Sequence, residues 1–238
     1  MIIITGANFP FYYCIRQFLN TIKYFMRPCD KLYVVDLGLH PVQKNFLLSR
    51  NYNKEMDIEF VSFSNMEEYP AHCKDLGSYA FKAMAFNELV VKPGIRDTVV
   101  WLDSANIVYH SLLELEILIH NKKIYSPYSA EDIKRYCYPL TIERLNYKGS
   151  LNNDMLSGGL IGINCKEDIG NKFLLEFIKA CLDPAIITPE GSNKSNHRQD
   201  QSILTILYWK YNKQYVLSRE KEWKYVGYHN NLWLNEIQ

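Results

Sequence analysis

The segment Thr98–Leu102 reads T-V-V-W-L and runs straight into Asp103. A near-continuous apolar run of this kind suits a strand covered on both faces, the setting of a central strand in an α/β sheet. The remaining pattern supplies the covering layers. A β-branched run at 2–5 ends in Gly6-Ala7-Asn8, and apolar residues then recur at helical spacing over 9–25. A second strand is expected at 31–36 (K-L-Y-V-V-D), broken by Gly38, with a helix over 41–50 that has proline near its first turn. A third strand at 58–63 alternates, and 79–90 is helical up to Lys92-Pro93-Gly94. Beyond Asp103 the pattern predicts helices at 111–120, 172–181 and 201–209 and strands at 124–128 and 156–164. Residues 129–153 are polar and tyrosine-rich, and read as an excursion over the sheet. Residues 184–198 read as a mobile loop.

Strands alternating with helices imply an α/β fold with a mostly parallel sheet flanked by helices. Ligands of such sheets bind beyond the carboxyl ends of the strands. The 238 residues are expected to form one domain, 1–238. Basic and acidic residues number 27 and 26, for a net charge of +1, so no whole-chain field would hold a polyanion, and nucleic acid is not an expected partner. No stretch reaches the ~18 apolar residues of a membrane helix, and the opening residues read as a strand rather than a signal peptide. A cytoplasmic location is the expectation. Six cysteines are scattered without a C-x-x-C pair, which fits reduced, mostly core thiols.

Two carboxylates, Asp36 and Asp103, stand where apolar strands end. There an aspartate is solvated enough to ionise and close enough to the crevice to hold a metal ion or a ribose hydroxyl. Turn formation is the plainer role for the same residue. Around Asp103 the segment W-L-D-S-A-N-I-V resembles the D-x-D segment of glycosyltransferases with the A-type (GT-A) fold. That likeness implies a single GT-A-like, Rossmann-like domain with a mixed sheet. It also implies a divalent metal, Mn2+ or Mg2+, on the diphosphate of a nucleotide sugar. Ala105 stands where the second carboxylate belongs, and Ser104 and Asn106 are weak substitutes for a hard cation's oxygen ligands.

Other segments resemble the same family in the same order. I-I-I-T-G-A-N resembles the first strand and loop that hold the nucleoside, through Thr5 and Ala7. Y-A-F-K-A-M resembles the helix whose basic residue, here Lys82, reaches the nucleotide. L-S-G-G-L-I-G-I-N resembles the small-residue stretch beside the sugar, at Ser157 and Gly158, where backbone can approach closely. H-R-Q-D-Q-S-I-L-T is similar to a segment of family 8, the group containing glycogenin and bacterial lipopolysaccharide galactosyltransferases. The likeness implies that Asp200 meets the donor sugar's hydroxyls and that Gln201 lies by its anomeric carbon. Y-V-G-Y-H-N-N resembles the place where the family gives a histidine to the metal, at His229.

The resemblance implies a hexosyltransferase that uses a nucleotide sugar, UDP-linked, and a glycan or other hydroxyl acceptor. The likeness to family 8 implies retention of configuration. Asp154 or Asp200 is the candidate general base should the reaction invert instead. Tyr136, Tyr138 and Tyr147 could offer sugar-stacking faces. The alternative, favoured by Ala105, is a non-catalytic nucleotide-sugar or carbohydrate-binding protein. The opening lacks the G-x-G-x-x-G of a dinucleotide-binding oxidoreductase.

Overall fold

A computed structural model describes residues 1–50, 52–63 and 65–211, with a short strand at 226–228. In chain order its strands are β1 (Ile2–Ala7), β2 (Lys31–Asp36), β3 (Asp57–Val61), β4 (Thr98–Leu102), β5 (Asn106–Val108), β6 (Ile124–Tyr125), β7 (Tyr128–Asp132), β8 (Asp154–Leu156), β9 (Leu160–Asn164) and β10 (Val226–Tyr228). The helices are α1 (Tyr12–Ile22), α2 (Pro41–Ser49), α3 (Phe81–Phe86), α4 (Leu112–Lys122), α5 (Ile133–Tyr136), α6 (Pro139–Arg144), α7 (Asp168–Cys181), α8 (Pro184–Ile187) and α9 (Gln199–Tyr211).

The apolar run becomes β4, with all its residues buried, between β1 and β9 in a six-stranded sheet of order β3-β2-β1-β4-β9-β6. Pairing is parallel from β3 to β4 and antiparallel where β9 enters, so the sheet is mixed, as expected. Successive side chains of a strand point to opposite faces. Val99 and Trp101 therefore join one buried layer with α3, α7 and α9, while Val100 and Leu102 join the other with α1 and α4. Burying each of these large side chains stabilises the fold by roughly 1.5–3 kcal/mol. Trp101 is the largest of them, and it packs on Phe81 and Phe86 of α3 with ring centroids 5.8 and 6.5 Å away.

Local chemistry sets the helix ends. His40 and Gln43 form a reciprocal capping box around Pro41 at the start of α2, and Ser111 accepts from the Leu113 N–H at the start of α4. Gly170 lets α7 press on the end of β9. A Cβ there would meet the Asn164 carbonyl oxygen at 2.0 Å and its carbon at 2.7 Å, both backbone atoms. Gly170→Ala is expected to lower stability by about 2 kcal/mol, measured from the urea midpoint. An unchanged midpoint would mean that the helix has room to move.

Two sequence expectations change here. Residues 129–153 are not an excursion: β7 pairs with β8, and Ile133, Cys137, Leu145 and Tyr147 enter the same core as Trp101. Those apolar residues are too sparse to show a period. Tyr147 is thereby buried, while Tyr136 and Tyr138 are half-buried. Nor is 184–198 a loose loop. It opens with α8, and at its other end the fully buried His197 donates from Nε2 to the Ile187 carbonyl and accepts at Nδ1 from the Tyr138 N–H. All six cysteines are free thiols, five of them buried. Among the described residues no helix is long and apolar enough to cross a membrane.

Candidate active site

Asp103 follows β4 directly. Its N–H donates to the Gly159 carbonyl at 2.9 Å, and the Asn106 side-chain amide donates to the carbonyls of both Asp103 and Gly159. The end of β4 is thus tied to the start of β9. The two-residue strand period puts Trp101 and Asp103 on one face, and the indole N–H donates to Asp103 Oδ1 at 2.6 Å.

Lys82 reaches the same point from α3. Only 2% exposed, it donates to the Gly158 carbonyl at 2.7 Å, and its Nζ lies 3.2 Å from Asp103 Oδ1 and 3.0 Å from Asp200 Oδ2. The rings of Tyr79 and Trp101 lie within 6 Å of the ammonium. Asp200, in the first turn of α9, is 3% exposed. Burial raises its pKa, the Lys82 ammonium offsets part of that rise, and the nearby Asp103 adds to it. Its contact with Lys82 is mainly electrostatic, because Oδ2 takes no well-aligned hydrogen bond among the described residues.

Gly158 makes this approach possible. A Cβ on it would stand 3.0 Å from Asp200 Oδ2 and 3.4 Å from Lys82 Nζ. The group opens into a cleft of about 330 Å³, which Ser157, Gly159, Gln201, Lys194 and Arg198 also line. Tyr79 and Gln199 stand on its wall with φ of 60° and 42°, left-handed backbone that costs a non-glycine residue about 1 kcal/mol or more. Strain of this kind gathers at functional sites.

The structure therefore brings together Lys82, Asp103, Ser157, Gly158, Asp200 and Gln201. Thr5, Ala7 and Asp36 form a second group at the same edge of the sheet, with Ala7 opposite Asp36 in register. Asp36 Oδ1 accepts the N–H groups of Gly38 and Leu39, and Oδ2 pairs with Lys44 at 2.9 Å. Burial pushes the Asp36 pKa up, but these partners outweigh it and leave the carboxyl below its ordinary value. In and beside this group, Thr5 Oγ1 and Asn8 Oδ1 are buried with no hydrogen-bond partner among the described residues. Ser104 is buried. Asp154 lies on β8 across from Asp132, outside the cleft wall. His229 falls outside the described residues.

Sequence reasoning missed Tyr79, Trp101, Lys194 and Arg198 as parts of the site. A left-handed tyrosine leaves no periodic trace, and the W-x-D spacing at the strand end was the one available signal for Trp101.

No protein-family model matches the sequence, and no curated protein does. Among solved structures, the chain is similar to the bifunctional glycosyltransferase WbbM at 14% identity and a TM-score of 0.58, over 88% of this chain. It spans 37% of WbbM's length. Mouse xyloside xylosyltransferase 1 aligns at 12% identity and a TM-score of 0.54, over 91% of this chain and 84% of that one. An active-site variant of LgtC aligns at 14% identity and 0.52, over 87% and 70%. The chain has the GT-A glycosyltransferase fold. Within that glycosyltransferase fold, the cleft beyond β4 lies where an α/β sheet places its ligands.

Proposed function

We propose that the chain is a glycosyltransferase that moves a hexose from a UDP-linked donor to a hydroxyl of a glycan acceptor, with retention of configuration. One observation carries this reading: a buried lysine joins Asp103 and Asp200 beside Gly158 and Gln201 in a cleft at the carboxyl end of the central strand. The orphaned Thr5 Oγ1 and Asn8 Oδ1 support a nucleoside seat at the end of β1, because buried polar atoms rarely go unpaired. Asp36, held rigid by Lys44 and two N–H groups, borders that seat.

In the transfer, the bond from the anomeric carbon to the diphosphate oxygen breaks and its electron pair leaves with the diphosphate. The acceptor oxygen bonds to that carbon, and its proton passes to the departing phosphate oxygen. The cleft's composition supports retention. Asp103 is engaged by Trp101 and Lys82, Asp200 is buried against the same lysine, and the Gln201 amide cannot take a proton. Asp200 Oδ2 keeps acceptor capacity for a sugar hydroxyl, and Gln201 can orient the reacting carbon. The charge of the leaving diphosphate is the largest demand on the site.

The described residues are a poor fit to the Mn2+ or Mg2+ that the family resemblance implies. A hard cation needs several oxygen ligands. Ala105 offers none, the Asp103 carboxylate already accepts an indole N–H and faces an ammonium, and no cluster of three ligating side chains exists among the described residues.

The test is nucleotide release from a panel of UDP- and GDP-hexoses, with glycan acceptors and with water. Release from UDP donors that falls at least 100-fold in Asp103→Ala would support the reading. Undiminished release in that variant would reject the site. UDP binding with no turnover of any donor would leave the binding-protein reading that Ala105 favours.

A further inference from the structure

Resting on the reading of the cleft as a sugar-nucleotide site, we propose that fixed side-chain cations do the work of a divalent ion. Lys194 and Arg198, beside the buried Lys82, hold and neutralise the diphosphate, and donor binding needs no metal.

The charged groups lining the cleft are Lys82, Lys194 and Arg198 against Asp103 and Asp200, a surplus of one positive charge among the described residues. Their arrangement matters more than the count. Lys82 lies between the two carboxylates and offsets part of their charge. A metal ion seated on Asp103 would have to share that carboxylate with an ammonium, and like charges at such range repel strongly where water is scarce.

Lys194 and Arg198 sit on the segment leading into α9, and among the described residues neither forms an ion pair. They rest on aromatic faces instead, Lys194 Nζ 5.6 Å from the Tyr79 ring centre and Arg198 4.3 Å from that of Tyr136. Arg198 lowers the Tyr136 pKa. Its guanidinium spends a donor on that phenol, but a cation held on a ring keeps its position while leaving further N–H donors for an anion. The backbone between them is anchored by the buried His197. The start of α9 faces the same cleft, and the positive end of its dipole adds to the field. An anion entering here meets two side chains with unspent charge and a helix start, on a segment held in place.

The experiment is calorimetric titration of the full chain with UDP and with uridine, in EDTA and in Mn2+ at constant ionic strength. UDP affinity is expected to agree within about threefold between the two media. The double variant Lys194→Gln/Arg198→Gln is expected to lose about 30-fold in UDP affinity in EDTA, with uridine affinity and the urea midpoint unchanged. Tightening of UDP by Mn2+ beyond about tenfold would overturn this inference and leave the proposed function intact. So would a double variant that binds UDP like the parent chain. Failure of the parent chain to bind UDP in either medium would overturn the proposed function itself.

Discussion

Lys82→Met is expected to destabilise the fold by about 3–5 kcal/mol and to cut transfer at least 100-fold. Methionine fills the volume of the lysine stem, so little of the loss comes from packing. What it removes is the ammonium between Asp103 and Asp200, at 3.2 and 3.0 Å, which leaves Asp200 buried with no compensating charge. Burial already raises the pKa of that carboxyl with the lysine present, and without it the group is expected to take up a proton. The double variant Lys82→Met/Asp200→Leu separates stability from chemistry. It removes both buried charges, so most of the lost stability is expected to return, because apolar replacements of a buried pair are often neutral. Transfer is not expected to return. Urea unfolding and UDP release read the two quantities. A single variant within about 1 kcal/mol of the parent would show that the lysine does not hold the carboxylates in place.

Acid is expected to destabilise the protein through His197 by about 3 kcal/mol between pH 7.5 and pH 4. Burial drops the pKa of this residue to about 4, partly offset by its bond to the Ile187 carbonyl. A histidine with a depressed folded-state pKa leaves stability untouched above its unfolded value near 6.5. Below that value the unfolded chain takes up a proton that the folded chain refuses, and the loss grows until pH falls past about 4. Asp200 opposes this trend, because its raised pKa makes the folded state bind a proton first. Comparison with His197→Gln cancels that contribution and every other shared one. The parent should lose about 3 kcal/mol more than the variant over this range. Parallel pH profiles would show that the imidazole titrates freely. Because His197 fixes the segment bearing Lys194 and Arg198, donor affinity is expected to fall over the same range.

The parts of the fold that could be read from sequence are those where burial writes a pattern. β2 and β4 fall where K-L-Y-V-V-D and T-V-V-W-L place them, because strands covered on both faces carry unbroken apolar runs. β1 runs on through Gly6 and Ala7, beyond its β-branched run, since pairing with Val35 and Asp36 extends it. The helix expected over 79–90 ends as the six-residue α3 and a π-type turn at Asn87–Val91. α9 begins two residues ahead of its apolar period, at Gln199, because buried polar residues continue the helix into the site. For the site, strand ends pointed to Asp36 and Asp103, but only the resemblance pointed to Lys82. A lone lysine in an apolar helix gives no hint that its partners are Asp103 and Asp200. Tyr79, Lys194 and Arg198 depend on loop geometry, which composition does not record.

The sheet order sets when this cleft can exist. β4 pairs with β1 at the start of the chain and with β9 some sixty residues further on, and α9 closes the site later still. Contacts so distant along the chain form slowly, since each must first overcome the entropy of a long loop. During synthesis Lys82 emerges well ahead of Asp200, and its ammonium must stay hydrated until that carboxylate arrives. Closure of the buried ion pair is therefore a late event in folding, and the site is completed only when α9 packs onto the layer that holds Val99 and Trp101.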